Sequence, residues 1–282
     1  MTSVDKNRLD WVDQAKGLTM IIVIYLHCTT AVYAHIGLAS FHMPLFFFLS
    51  GFFLFRKSRN FADYIRLKFN SLIIPYFIFG AILATYSTVL DIYRGEESMP
   101  GLRYIGLLVN ARHAPFYGSL WFLLSLFCVE LILFILHKNI ASDVWRLIVS
   151  MLFGIAGALI MAFHQEGIIW SLDITLTCIV FTELGYLMFP FLSKYHPSLK
   201  ILIAMLVACG VFAGLNYGIS GMTVDLYSCR IGNIVLFYIA AILGVMSICL
   251  ISKRIKVGGG DFRRKELTFV LLPSILVVDS CK

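Results

Sequence analysis

Two basic side chains on one apolar segment are the first chemically suggestive feature of the chain. Lys16 and His27 are separated by ten residues, and eleven helical steps of ~100° make three turns plus about 20°. They share one stripe, with Met20, Val23 and Ile24 between them. That places a fixed cation near one membrane face and a titratable imidazole roughly 16 Å further across. A second imidazole, His42, begins the block His42-Met43-Pro44-Leu45-Phe46-Phe47-Phe48-Leu49-Ser50-Gly51-Phe52 and comes in from outside, at a depth expected to match that of His27. A positioned imidazole can take the proton of a poor oxygen nucleophile as it attacks. Plainer roles stand beside this one: Lys16 snorkelling to headgroups, and either histidine bonding a helix end. Ser50 offers a hydroxyl nucleophile, although Ser-Gly in a phenylalanine-rich helix also permits close packing.

Three carboxylates, Glu130, Asp173 and Glu183, fall inside apolar runs. A charge at that depth costs at least ~2.5 kcal/mol, so each needs an interior partner or a proton. Such a group could fix an imidazole tautomer, bind acceptor hydroxyls or serve structure alone. Trp121, Trp170 and Tyr227 lie near expected interfaces, where aromatic rings also settle without a ligand. The basic cluster Arg56, Lys57, Arg59, Arg66 and Lys68 would attract a polyanion and equally reads as a topology signal. His35, His113, His137, His164 and His196 fall in loops or at span ends without metal spacing, so no metal is expected. The seven cysteines form no C-x-x-C pair and read mostly as small packing residues.

These residues need elements to hold them. Of 282 residues, 60% are hydrophobic and 14% charged, with a mean hydropathy of +0.87, against ~45–50% and ~25% in soluble domains. An ordinary cytosolic globule is excluded. Runs of ~20 apolar residues mark transmembrane helices, and eight are expected, at 12–34, 41–55, 71–90, 117–136, 145–163, 168–192, 199–217 and 231–251. The fold class is therefore all-α, a polytopic transmembrane bundle of about eight spans. The formal charge of +7 lies between apolar runs and not on a nucleic-acid-binding face. Lys6, Arg8, Arg56, Lys57, Arg59, Lys138, Arg146, Lys194, Lys200, Lys253 and Arg254 recur in alternate segments, while the others carry few basic residues beside Asp91, Glu96, Glu97, Glu166 and Asp225. By the positive-inside rule the amino terminus is cytoplasmic. Val32-Tyr33-Ala34 loosely resembles a signal cleavage site, but Asp5, Asp10 and Asp13 spoil the basic leader, so the first segment is expected to stay as an anchor. The 91–116 segment is the longest external connection.

Taken together, the motifs resemble the acyltransferase-3 family of polytopic membrane acyltransferases, in particular its fucose 4-O-acetylase-like branch. The resemblance covers about residues 8–255. It rests on a basic residue, ten residues and a histidine on the first span, here Lys16 and His27; on the His42-Met43-Pro44 to Ser50-Gly51-Phe52 block followed by basic residues and Pro75-Tyr76; and on Leu120-Trp121-Phe122-Leu123. The family's commoner basic residue is arginine; lysine keeps the charge without the planar fork. The resemblance implies transfer of an acyl group, usually acetyl from cytoplasmic acetyl-CoA, to a hydroxyl of an envelope carbohydrate or lipid-linked glycan, in the plasma (cytoplasmic or inner) membrane. His27 is then the general base, with Lys16 and His42 as further catalytic candidates. The 56–68 cluster would attract the anionic donor, and Glu130, Asp173, Glu183 and Trp121 would serve the acceptor or support the base.

Residues 1–256 form the expected membrane domain, and 257–282 an atypical tail. Its Gly258-Gly259-Gly260 switch and an apolar stretch of about twelve residues holding Pro273 are too short for a span. They depart from the family's longer, ten-span continuation, as a frameshift or truncation near residue 257 would. Two alternatives to an enzyme stand open: a secondary transporter using the intramembrane carboxylates and histidines, and an inactive remnant. The absence of paired, Gly/Pro-broken spans in corresponding halves speaks against the transporter.

Overall fold

In lipid every backbone N–H and C=O must be satisfied within its own segment, which leaves apolar runs of this length one solution, the helix. The computed structural model of the chain describes residues 9–54, 60–96, 100–109, 120–164, 167–195 and 198–255. Among these, seven helical stretches are long and apolar enough to cross a membrane: Val32–Gly51, Phe61–Arg94, Trp121–Asn139, Asp143–Phe163, Ile169–Lys194, Leu199–Ser220 and Ile234–Ser252. The chain is a multi-pass, all-α membrane protein. α1 (Asp10–Cys28) adds 19 helical residues, with Asp10, Asp13 and Lys16 charging its first two turns.

Of the eight expected spans, the first, 12–34, has no counterpart among these seven, and the second begins earlier, at Val32. α1 stops at Cys28 because Thr29 turns extended (φ −111°, ψ 142°), and the Thr29 hydroxyl accepts from the Ala31 N–H at 3.2 Å. The chain resumes as α2 (Val32–Leu38) and, after a turn, α3 (His42–Gly51). A Thr-Thr pair suits this break: two β-branched residues are poor helix formers, and a hydroxyl can bond the backbone outside the helix. The third span starts earlier than 71, with α4 (Phe61–Lys68) running through a π-helical stretch, Phe69–Ile73, into α5 (Ile74–Arg94). Pro75, which has no N–H to give, sits at the start of α5, and the wider π turn before it accommodates the missing bond. Part of the expected external loop is helical too: α6 (Pro100–Val109).

The described chain divides into two compact units. The first holds residues 1–49, 188–224 and 232–282. In it α10 (Leu199–Ser220) packs on α11 (Ile234–Ser252) and on α2, and α1 packs on α11 and α2. Gly244 has no side chain because the Phe41 ring occupies the place of its Cβ. Asn233 caps α11, its Oδ1 accepting from Val235 and Leu236 N–H groups, while its own N–H donates to Asn216 Oδ1 at 2.7 Å. At the other end of α11, Lys253 Nζ donates to the Leu192, Ser193 and Tyr195 carbonyls at 2.6, 3.2 and 2.7 Å. Burial lowers its pKa below the usual lysine range.

The second unit holds residues 50–187 and 225–231, with α4, α5, α6, α7 (Trp121–Asn139), α8 (Asp143–Phe163) and most of α9 (Leu172–Lys194). α5 and α6 form a hairpin tied by Tyr76, whose hydroxyl donates to the Leu107 carbonyl at 2.6 Å, and by the Arg103–Asp91 ion pair. α8 approaches α9 closely at Gly157, where a Cβ would lie 2.7 Å from the Asp173 carbonyl. α7 meets α9 through the Thr175 hydroxyl, 3.1 Å from Ser125 Oγ.

Candidate functional site

Within the first unit α1 is continuous from Asp10 to Cys28, so the expected register of Lys16 and His27 holds. Its buried side is Val12, Ala15, Thr19 and Leu26; Lys16 and His27 lie on the exposed side. His27 Nδ1 is 2.8 Å from the Val23 carbonyl. A carbonyl can only accept, so Nδ1 carries the proton, and in neutral imidazole Nε2 is then the basic nitrogen. Among the described residues Nε2 has no hydrogen-bond partner. The ring is thus held by one nitrogen and offers the other.

His42 is arranged in the same sense, its Nδ1 donating between the Leu38 and Ala39 carbonyls at 3.2 and 3.1 Å. His42 is the eleventh residue of the membrane-crossing stretch Val32–Gly51, about 15 Å along it, whereas His27 is two residues from the break at Thr29. Residues 35–40, expected as an external connection, are largely helical, since α2 runs to Leu38.

In the second unit the buried carboxylates find partners that no short spacing announces. Glu130, 2% exposed, forms an ion pair with Lys68 and faces the Tyr64 hydroxyl at 3.4 Å. Lys68, grouped by sequence with the donor-attracting cluster, therefore has its charge engaged by a residue grouped with the acceptor. Glu183, wholly buried, accepts from His137 Nε2 at 2.7 Å and from Arg146 Nε at 3.2 Å. Arg146 also donates to the Ile140 and Ala141 carbonyls and pairs with Asp143, so its guanidinium ties the α7–α8 connection to α9. Tyr186 meets the His137 ring edge-on at 4.5 Å. Asp173, also wholly buried, lies 3.5 Å from the Cys229 thiol, and Trp121 is buried edge-on to Phe122.

Arg66 is exposed. Arg56, Lys57 and Arg59 lie outside the described residues, as do His113, His196 and the tail from residue 256. His137 and Arg146 are the polar residues that sequence reading passed over, one as a span-end histidine and one as a topology marker. A signal existed: Glu130 and His137 are seven apart on α7, two turns along one stripe. Among the described residues no group of three or more His, Cys, Asp or Glu could hold a metal ion.

What the arrangement can do chemically is narrow. Glu130 and Glu183 of the second unit are engaged with Lys68 and Arg146, and the exposed face of α1 carries Lys16 and, eleven residues on, the His27 imidazole with its Nε2 directed away from the Val23 bond. A base and an anion-attracting group on one stripe suit attack by a hydroxyl on an acyl compound that carries negative charge.

No curated protein and no solved structure matches the chain. One family model does, described as an acyltransferase domain, and its match runs past residue 257 into the tail. Matched over residues 9–271, the chain belongs to the acyltransferase-3 family of membrane acyltransferases.

Proposed function

We propose that the chain is an O-acetyltransferase of the plasma membrane, moving acetyl from cytoplasmic acetyl-CoA to a hydroxyl of an envelope carbohydrate or lipid-linked glycan. The amino terminus is cytoplasmic in this reading. Lys16, Arg66 and the basic residues 56, 57 and 59 draw the anionic donor to that face. The thioester then reaches roughly 16 Å along α1 on the donor's extended pantetheine arm. His27 Nε2 takes the proton of the acceptor hydroxyl as its oxygen attacks the thioester carbonyl. The new C–O bond forms, the C–S bond breaks, and the coenzyme thiolate leaves and takes up the proton. His42, on the next leg, supports the acceptor.

The observation that carries this reading is the exposed α1 stripe, with His27 held through Nδ1 so that Nε2 is the basic nitrogen. The ion pairs of Glu130 and Glu183 support it against a transporter, since both carboxylates serve as partners to fixed cations. Labelled acetyl-CoA supplied to inside-out membrane vesicles tests it. Transfer should fall about 10²- to 10⁴-fold in His27→Ala, the range of general-base catalysis, and less in His42→Ala. Undiminished transfer in His27→Ala rejects the mechanism; no transfer by the wild type, with proton-coupled solute uptake instead, would establish a transporter.

A further inference from the structure

The three histidines around the end of α1 are each tied to a backbone carbonyl, but not by the same nitrogen. His27 and His42 are tied through Nδ1. His35, on α2, is tied through Nε2, which lies 3.0 Å from the Thr29 carbonyl. By the same reasoning Nε2 of His35 carries the proton, so its outer nitrogen is consumed in a contact with the chain.

That contact falls where α1 most needs it. The last four carbonyls of a helix have no partner inside it, and the last turn is the first to fray. His27 sits in that turn, and Thr29 is the residue at which α1 ends. Two bonds close the end: the Ala31 N–H to Thr29 Oγ1, and the His35 ring Nε2–H to the Thr29 carbonyl across the break. The second comes from a half-buried ring on a helix packed against both α1 and α10, so it links the end of α1 to the body of the first unit.

We infer that His35 is a positioning residue for the base, holding the last turn of α1 through the Thr29 carbonyl so that His27 keeps its direction. This rests on the reading of His27 as general base. A displaced base loses rate even where substrate binding is unchanged, so the effect falls on kcat and leaves the KM for acetyl-CoA in place. The geometry also makes a distinction between two amides. The Nε2 of glutamine lies near where histidine carries Nε2 and can donate to Thr29, whereas the Nδ2 of asparagine lies near the Nδ1 position and cannot reach.

The test uses the full-length protein in inside-out vesicles, with labelled acetyl-CoA as donor and label in membrane material as readout, for wild type, His27→Gln, His35→Ala, His35→Gln and His35→Asn at matched protein levels. Expected is a kcat about tenfold lower in His35→Ala and His35→Asn, an unchanged KM for acetyl-CoA, and recovery to within about threefold of wild type in His35→Gln. Wild-type kcat in His35→Ala, a loss that glutamine does not repair, or a rise in KM alone would each overturn the inference. His27→Gln separates the two levels. If it retains transfer, the base assignment fails and the inference with it; if it abolishes transfer while His35→Ala is normal, the inference alone fails.

Discussion

Glu183 offers the strongest test of how the buried charges act. Its carboxylate is wholly buried between Arg146, 4% exposed, and His137. Glu183→Leu strands the guanidinium and removes two charge-assisted hydrogen bonds worth ~1.5–3 kcal/mol each. Arg146 keeps Asp143 and two loop carbonyls, so the loss should lie near the lower end of the ~3–5 kcal/mol typical of a broken buried pair. Arg146→Leu should be similar, since Glu183 retains His137 while the Ile140 and Ala141 carbonyls lose their donor. The double variant strands neither charge. The two single losses, ~6 kcal/mol together, should exceed the double loss by about 2 kcal/mol, roughly thirtyfold in the folding equilibrium constant. Equilibrium unfolding of the four proteins in mixed micelles, followed by tryptophan fluorescence, gives the cycle. A coupling below ~0.5 kcal/mol, the scale of an exposed pair, would refute the view that this ion pair joins α8 to α9 in a desolvated setting.

Two further outcomes follow from the packing and the charge. Gly51→Ala would drive a Cβ onto the Thr182 carbonyl and to 2.7 Å from the Tyr186 nitrogen, backbone atoms that cannot rotate away, and should destabilise by ~1–3 kcal/mol. Gly210→Ala, with nothing within 4 Å, should change stability by less than ~1 kcal/mol; equal losses in the two, by the same unfolding measurement, would contradict the described helix contact. Lys253 titrates below its ordinary range because of burial. Between that lowered pKa and the unfolded value of ~10.4 the unfolded chain binds more protons, so stability rises with pH across the window. The ratio of wild-type to Lys253→Met stability should therefore climb as pH approaches 10; a flat difference would show that burial does not govern this lysine.

Much of the fold was legible because hydropathy and helix formation are local properties. Spans near 145–163 and 199–217 lie within the observed α8 and α10, and apolar runs of that length, each with one basic residue near its start, admit little else. The errors of boundary have local causes that hydropathy does not register. Thr29 and Thr30 are apolar enough to pass within a span, yet they end α1; Pro75 looked like a span-interior residue, yet the π turn before it lets the helix run from Phe61. The external segment contains α6 because Tyr76 and Asp91 on α5 give that short helix a partner.

The stripe of Lys16 and His27 was readable from spacing alone, since eleven residues on one uninterrupted helix leave no freedom of register. Spacing could not say which imidazole nitrogen would be basic. That depended on Val23 supplying a carbonyl to Nδ1, and for His35 on a carbonyl six residues away across a break.

What the sequence determined by itself was a chain of membrane helices, their approximate limits, and an imidazole and a cation on one face of α1, because each follows from the period and solvation of a single segment. What only the tertiary structure decided was the partnership of the buried charges. Glu183 meets His137 across 46 residues and Arg146 across 37, and Lys68 meets Glu130 from a different helix. Desolvation required that each carboxylate have a partner, but helix packing, which no local pattern records, chose which one.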